Sequence, residues 1–78
     1  MKKVKIYTTP TCVYCKMAKD FFNENNIKYE EHSVVSDLER RKEMVEKSGQ
    51  MGVPVIVVGD DVTVGFNRPR LEQLLELA

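Results

Sequence analysis

Apolar and polar positions change period several times along the chain, and each change marks an element. Val4, Ile6 and Thr8 alternate with Lys5 and Tyr7, which predicts a short strand closed by the turn-forming Thr9-Pro10-Thr11. From Val13 to Glu24 the period lengthens to that of a helix. Val13, Met17 and Phe21 fall four apart, Tyr14, Ala18 and Phe22 widen the apolar stripe, and Lys16, Lys19, Asp20 and Asn23 make the polar face. Asn25-Asn26 ends it. Ile27 to Val34 reads as a second strand, polar enough at Lys28, Glu30, Glu31 and His32 to lie at a sheet edge.

Ser36-Asp37-Leu38-Glu39 has the form of a capping box, with Ser36 as the cap and Glu39 reaching back. It opens a charged helix that runs to Ser48, and Gly49 is placed for the left-handed turn after it. Val53-Pro54-Val55-Ile56-Val57-Val58 is the most strand-prone run. Gly59-Asp60-Asp61 turns it into Val62-Thr63-Val64, so these two strands form a hairpin. Asn67 caps a last helix with Pro69 in its first turn and Leu71, Leu74, Leu75 and Ala78 as its buried stripe. The order is βαβ, helix, ββ, helix. A strand–helix–strand unit of this length makes a parallel pair with a right-handed crossover. The hairpin adds antiparallel strands, which predicts an α/β fold with a small mixed sheet and helices on its faces.

Composition narrows the picture. The chain has 78 residues, 42% hydrophobic and 31% charged, with 12 basic and 12 acidic side chains. That is the balance of one globular domain, spanning residues 1–78, with a thin core. A net charge of zero gives no general pull toward nucleic acid or acidic lipid. The basic groups Lys2, Lys3, Lys5 and Arg40, Arg41, Lys42 have acidic neighbours and read as solvated faces. The basic start has no apolar run behind it, so neither a leader peptide nor a membrane span is expected. The expected setting is a cytoplasmic monomer, where thiols are kept reduced and two cysteines signify chemistry or metal more than a structural staple.

Those two cysteines are Cys12-Val13-Tyr14-Cys15, placed where the first loop becomes the first helix. Residues three apart on a helical turn are neighbours, so the sulfurs can reach disulfide distance without disrupting the helix. The first cysteine stands at the helix N-terminus, where free N–H groups and the dipole favour a thiolate. Lys16, four residues after Cys12, adds a positive charge on the same face. Competing readings are two inert packing residues or half of a zinc site. A closed zinc site needs four ligands, and only His32 and carboxylates stand beyond the pair. His32 reads as a surface residue of the edge strand. The redox reading is the leading one.

Three stretches extend the motif: Tyr7 to Cys15, Ser48-Gly49-Gln50-Met51-Gly52-Val53-Pro54, and Thr63-Val64-Gly65-Phe66. In this order and spacing the chain resembles the glutaredoxins over essentially its whole length. The resemblance implies a thioredoxin fold with a four-stranded sheet in the order 2-1-3-4 and three helices. It implies Cys12 as the exposed nucleophile, Cys15 as the resolving thiol and Pro54 as a cis proline beside them. Thr11, Tyr14 and Lys16 would then shape the surroundings of the thiolate. Val53 and Pro54 would align an extended thiol substrate in strand-like fashion. Gly65, Phe66, Asn67 and Arg68 would form the far wall of the groove.

The chain departs from the family pattern at two places. Typical dithiol glutaredoxins read Cys-Pro-Tyr-Cys, and Val13 stands at the proline. Glutathione-binding members carry a Gly-Gly pair and then a Ser/Thr-Asp step, whereas this chain has Val64-Gly65-Phe66-Asn67-Arg68. Arg68 would repel the γ-glutamyl ammonium that the aspartate would meet, while backbone N–H groups at Asn67 and Arg68 could still hold its carboxylate. Gly65-Phe66-Asn67-Arg68-Pro69 is also similar to the Gly-Phe-Arg-Pro of the glutaredoxin-like redoxins that serve ribonucleotide reductase, with Asn67 extra. The implied function is reduction of protein disulfides or glutathione mixed disulfides through Cys12 and Cys15, with no bound cofactor. Electrons would come from glutathione as cosubstrate or from a thioredoxin-reductase-type flavoprotein. The alternative is a metal or iron–sulfur carrier using Cys12.

Overall fold

The computed structural model describes residues 3–76. Seven elements follow one another: β1 (Val4–Thr8), α1 (Val13–Glu24), β2 (Glu30–Ser33), α2 (Leu38–Ser48), β3 (Val55–Val58), β4 (Asp61–Val64) and α3 (Arg68–Leu74). The strands form one sheet in the order β2-β1-β3-β4. β1 runs parallel to β2 and antiparallel to β3, and β3 and β4 form the hairpin. The sheet order and the three helices are those of the thioredoxin fold. Lys2 and Ala78, assigned above to a basic group and to the last apolar stripe, lie outside the described residues.

The pleat of β1 and β3 separates two cores. Val4 and Ile6 of β1 and Ile56 and Val58 of β3 face one way, against Ala18, Phe21 and Phe22 of α1 and Leu71 of α3. Tyr7, Val55 and Val57 face the other way, against Met44 of α2 and Val34, which follows β2. Successive residues of a strand point to opposite faces, so a run such as Val55-Ile56-Val57-Val58, buried throughout, belongs to a strand covered on both sides. Each fully buried side chain of this size contributes about 1.5–3 kcal/mol of transfer free energy.

Several expectations are corrected. The α1 stripe faces the sheet through Cys15, Ala18, Phe21 and Phe22, while Val13, Tyr14 and Met17 are 70%, 61% and 44% exposed. In the first turn Cys15 alone takes the inward position. β2 is shorter than Ile27–Val34, because the Ile27 N–H is turned back to the Phe22 carbonyl at 2.8 Å and closes α1 instead. β3 begins only at Val55, after the cis Val53–Pro54 bond, and β4 already at Asp61, which pairs with Val58. Asp37, not Ser36, caps α2: its Oδ1 accepts from the Glu39 and Arg40 N–H groups at 3.1 and 3.2 Å. A carboxylate there satisfies two free donors and also opposes the positive end of the helix dipole. Gly49 adopts the left-handed conformation, φ 74°, and its N–H reaches the Val45 carbonyl. Asn67 caps α3 as expected, accepting from the Arg70 N–H at 3.3 Å.

Candidate active site

The β1–α1 turn and the N-terminus of α1 place the two sulfurs. The Cys12 N–H bonds back to the Thr9 carbonyl at 3.3 Å, which folds Thr9-Pro10-Thr11 into a tight turn. Cys12 is thereby the N-cap of α1, in extended backbone conformation, and its sulfur accepts the Cys15 N–H at 3.1 Å. The sulfur thus occupies the place of a Ser, Thr or Asp capping oxygen. Both cysteines are free thiols. They differ in access: Cys12 is half-buried, whereas Cys15 is 1% exposed. Burial first, and then its hydrogen bond with Cys12, pushes the Cys15 thiol up to about 12, against the backbone of Thr9 and the charge of Lys19.

The loop before β3 closes the site from the other side. The Cys12 thiol points at the Val53 carbonyl, 3.9 Å away. The loop is shaped by its own side chains. Ser48 Oγ donates to Met44 O and Gln50 O at 2.7 and 3.0 Å, and the Gln50 amide clasps both the N–H and the carbonyl of Gly52. Pro54 is buried. Its carbonyl accepts the Gly65 N–H at 2.7 Å, so the end of β4 is fastened directly to the loop. Gly65 has φ 80°, the left-handed region that side chains other than glycine rarely adopt.

The other candidate residues fall into two groups. Thr11, Tyr14 and Lys16 are exposed around Cys12. Phe66 and Arg68 are directed onto α1: the Phe66 ring meets Phe21 edge-on at 5.9 Å, and the Arg68 guanidinium lies 5.5 Å over the Phe21 ring. Phe21 is nine residues beyond Cys12, roughly 13 Å along the helix at 1.5 Å per residue. Arg68 is thus drawn toward the far end of α1, with Asn67 committed to capping α3. His32 is less exposed than an edge-strand residue suggests. Its ring is 5.7 Å from that of Tyr7 and its Nε2 is buried without a hydrogen bond, 3.6 Å from Glu30. Among the described residues no group of three or more His, Cys, Asp or Glu side chains converges, nor is any helix long and apolar enough to cross a membrane.

One set of groups near the thiols was not singled out from the sequence. Lys19 Nζ is 2.9 Å from Glu31 Oε2, and the same oxygen accepts Thr8 Oγ1 at 2.9 Å. The signal available was helical spacing, since Lys19 follows Cys15 by four. Its partner on β2 is a long-range contact that no local pattern contains.

A half-exposed thiol capping a helix, backed by a buried one a turn later and faced by the carbonyl that precedes a cis proline, defines a dithiol site on a thioredoxin fold. The glutaredoxin family model matches residues 4–63. An uncharacterised glutaredoxin-like 8.6 kDa protein of the rubredoxin operon in Clostridium pasteurianum is 41% identical over 73 residues, 94% of this chain and 97% of its own. Glutaredoxin 3 of Escherichia coli K12 is 34% identical over 58 residues, 74% of this chain and 70% of its own. Among solved structures, a mutant of the thioredoxin-like protein BC3987 superposes with a TM-score of 0.92 at 33% identity, each chain covered completely. The chain belongs to the glutaredoxin family, whose members are in general thiol–disulfide oxidoreductases.

Proposed function

We propose that this protein reduces protein disulfides or glutathione mixed disulfides by a two-cysteine exchange. The Cys12 thiolate attacks one sulfur of the substrate disulfide, forms a mixed disulfide and expels the other half as a thiolate. Cys15 then loses its proton and attacks the Cys12 sulfur. The second substrate sulfur leaves as a thiolate and is protonated; the substrate disulfide has then gained two electrons, one on each sulfur, and Cys12 and Cys15 have lost them in forming their disulfide. Exposure gives the first role to Cys12, and burial gives the second to Cys15, which meets only a sulfur already attached to its neighbour.

The observation that carries this reading is the Cys15 N–H on the Cys12 sulfur at 3.1 Å. It holds a hydrogen-bond donor on the attacking atom, where it stabilises a thiolate. The Val53 carbonyl faces the same sulfur and supports an extended substrate segment lying along the loop. Thr11, Tyr14 and Lys16 would border that segment and Gly65, fastened to the Pro54 carbonyl, would bound it opposite, while Phe66 and Arg68 are turned onto Phe21 and Asn67 caps α3.

Two measurements test the reading. Cys12→Ser should abolish disulfide-reductase turnover, whereas Cys15→Ser should still react once and accumulate a mixed disulfide visible as added mass. Turnover that survives Cys12→Ser and is lost in Cys15→Ser would reverse the two roles. The electron donor is glutathione or a thioredoxin-reductase-type flavoprotein. A coupled assay with glutathione and glutathione reductase, then with thioredoxin reductase, separates the two by which one sustains turnover.

A further inference from the structure

Cys15 must become a thiolate as it attacks, yet it is 1% exposed and its pKa is pushed up to about 12 by burial and by Cys12. A nearby cation acts strongly at such a place, because the surroundings screen it less than water does. Lys19 stands one turn after Cys15 on α1, which puts the two Cβ atoms about 5–6 Å apart on one helix face. The Lys19 side chain is 31% exposed, but its ammonium is tethered. Glu31 of β2 holds it at 2.9 Å, and Thr8 of β1, itself 2% exposed, fixes the same carboxylate oxygen at 2.9 Å. Three elements therefore determine where this charge sits.

The groups bearing on the pair are few. Cys12 and Lys19 come from α1, the Thr9 backbone from the β1–α1 turn, and Glu31 with Tyr29 from β2 and its approach. Lys19 pulls the Cys15 thiol down, and an ionised Cys15 raises Lys19 in return. The hydrogen bond that Lys19 donates to Glu31 keeps Lys19 above the usual lysine range. Lys19 is therefore a fixed cation rather than a proton acceptor.

We infer that Lys19, pinned by Glu31 and Thr8, is a positioning residue for the second exchange step, stabilising the Cys15 thiolate while it displaces the substrate sulfur from Cys12. The inference rests on the roles proposed for the two cysteines. In that step the Cys15 proton passes to solvent, the Cys12–Cys15 bond forms, and the Cys12–substrate bond breaks. The departing thiolate takes up a proton in turn.

The experiment uses dithionitrobenzoate as the disulfide, because each step releases one coloured thionitrobenzoate. The first release reports Cys12 and the second reports Cys15. In Lys19→Met the first release should keep its rate, while the second slows about tenfold, its pH–rate profile displaced upward by about one pH unit. Lys19→Arg should restore it. Glu31→Gln keeps an acceptor for Lys19 but removes the opposing charge, and should speed the second release. An unchanged second release in Lys19→Met overturns the inference. So does an equal slowing in Lys19→Met and Glu31→Gln, which would make the bridge a structural tie. Absence of the first release in the unaltered protein would instead overturn the proposed function.

Discussion

The two faces of the sheet are made from the same strands, yet they solve different problems. On the α1–α3 face the core is aromatic: Phe22 packs on Phe21 and on Tyr29, and Phe21 on Phe66. The polar groups at its rim are paired, as in the Thr8–Glu31–Lys19 bridge. The α2 face is smaller and wraps two polar rings. Tyr7 is 0% exposed and its hydroxyl makes no well-formed hydrogen bond, although Glu43 is close enough to act on it by charge and by a weak hydrogen-bonding contact. His32 beside it likewise leaves Nε2 without a hydrogen bond, 3.6 Å from Glu30. The face that holds α1, and with it both thiols, is the one with the larger apolar store.

The largest effect that would test this contrast is the loss of Phe22. Phe22→Ala should cost about 3–5 kcal/mol, and Met44→Ala on the opposite face about 2–5 kcal/mol. Urea unfolding followed by circular dichroism ranks them. A larger loss for Met44→Ala would invert the assigned importance of the two faces.

An intermediate effect concerns alkali, because each face hides one acid. Burial, then Glu43, raises Tyr7 to about 12, and burial, then Cys12, does the same for Cys15. The native state therefore holds these protons more tightly than the unfolded chain. Their contribution is complete below the unfolded pKa values, near 9 to 10, and is lost as pH rises toward about 12. Tyr7→Phe should remove the α2-face share, at most roughly 2–3 kcal/mol at 1.36 per unit of pKa. At neutral pH it should be neutral or slightly stabilising, since an unpaired buried hydroxyl is lost. Unfolding curves at pH 7 and pH 11 decide; equal pH dependence in the variant would exclude Tyr7 as a source.

The smallest effect lies at the start of α2. Asp37→Ala should cost about 0.5–2 kcal/mol, and Ser36→Ala close to nothing, since Ser36 makes no capping bond. Thermal melts of the two variants are sufficient. Equal losses would restore the capping box with Ser36 as its cap.

These examples also indicate what was legible in the sequence. The periodicity of Val4–Thr8 and Val13–Glu24, the Gly49 stop and the Asn67 cap are local signals, and the chain folds accordingly. Cys12, Cys15 and Pro54 stand out through motif and spacing; the Cys15 N–H reaches the Cys12 sulfur, and the residue before Pro54 presents its carbonyl to that sulfur. What escaped the pattern depends on tertiary placement. Periodicity predicts an apolar stripe on α1 but not which of its residues the sheet covers, so Val13 and Met17 are expected inward and lie exposed. Ser36 and Asp37 are both good caps, and only the path of the chain chooses between them. Lys19–Glu31 and Arg68–Phe21 join residues distant in sequence, one by charge and one by an aromatic face.

The Val53–Pro54 dipeptide uses consecutive carbonyls in opposite directions, one toward Cys12 and the next onto Gly65. For anyone redesigning the groove this is a shared rivet. A replacement that shifts the loop to admit a bulkier substrate also pulls on the hairpin, and a change at Gly65 is felt at the sulfur. Variants at positions 53, 54 and 65 should therefore be selected together, because their effects are not expected to add.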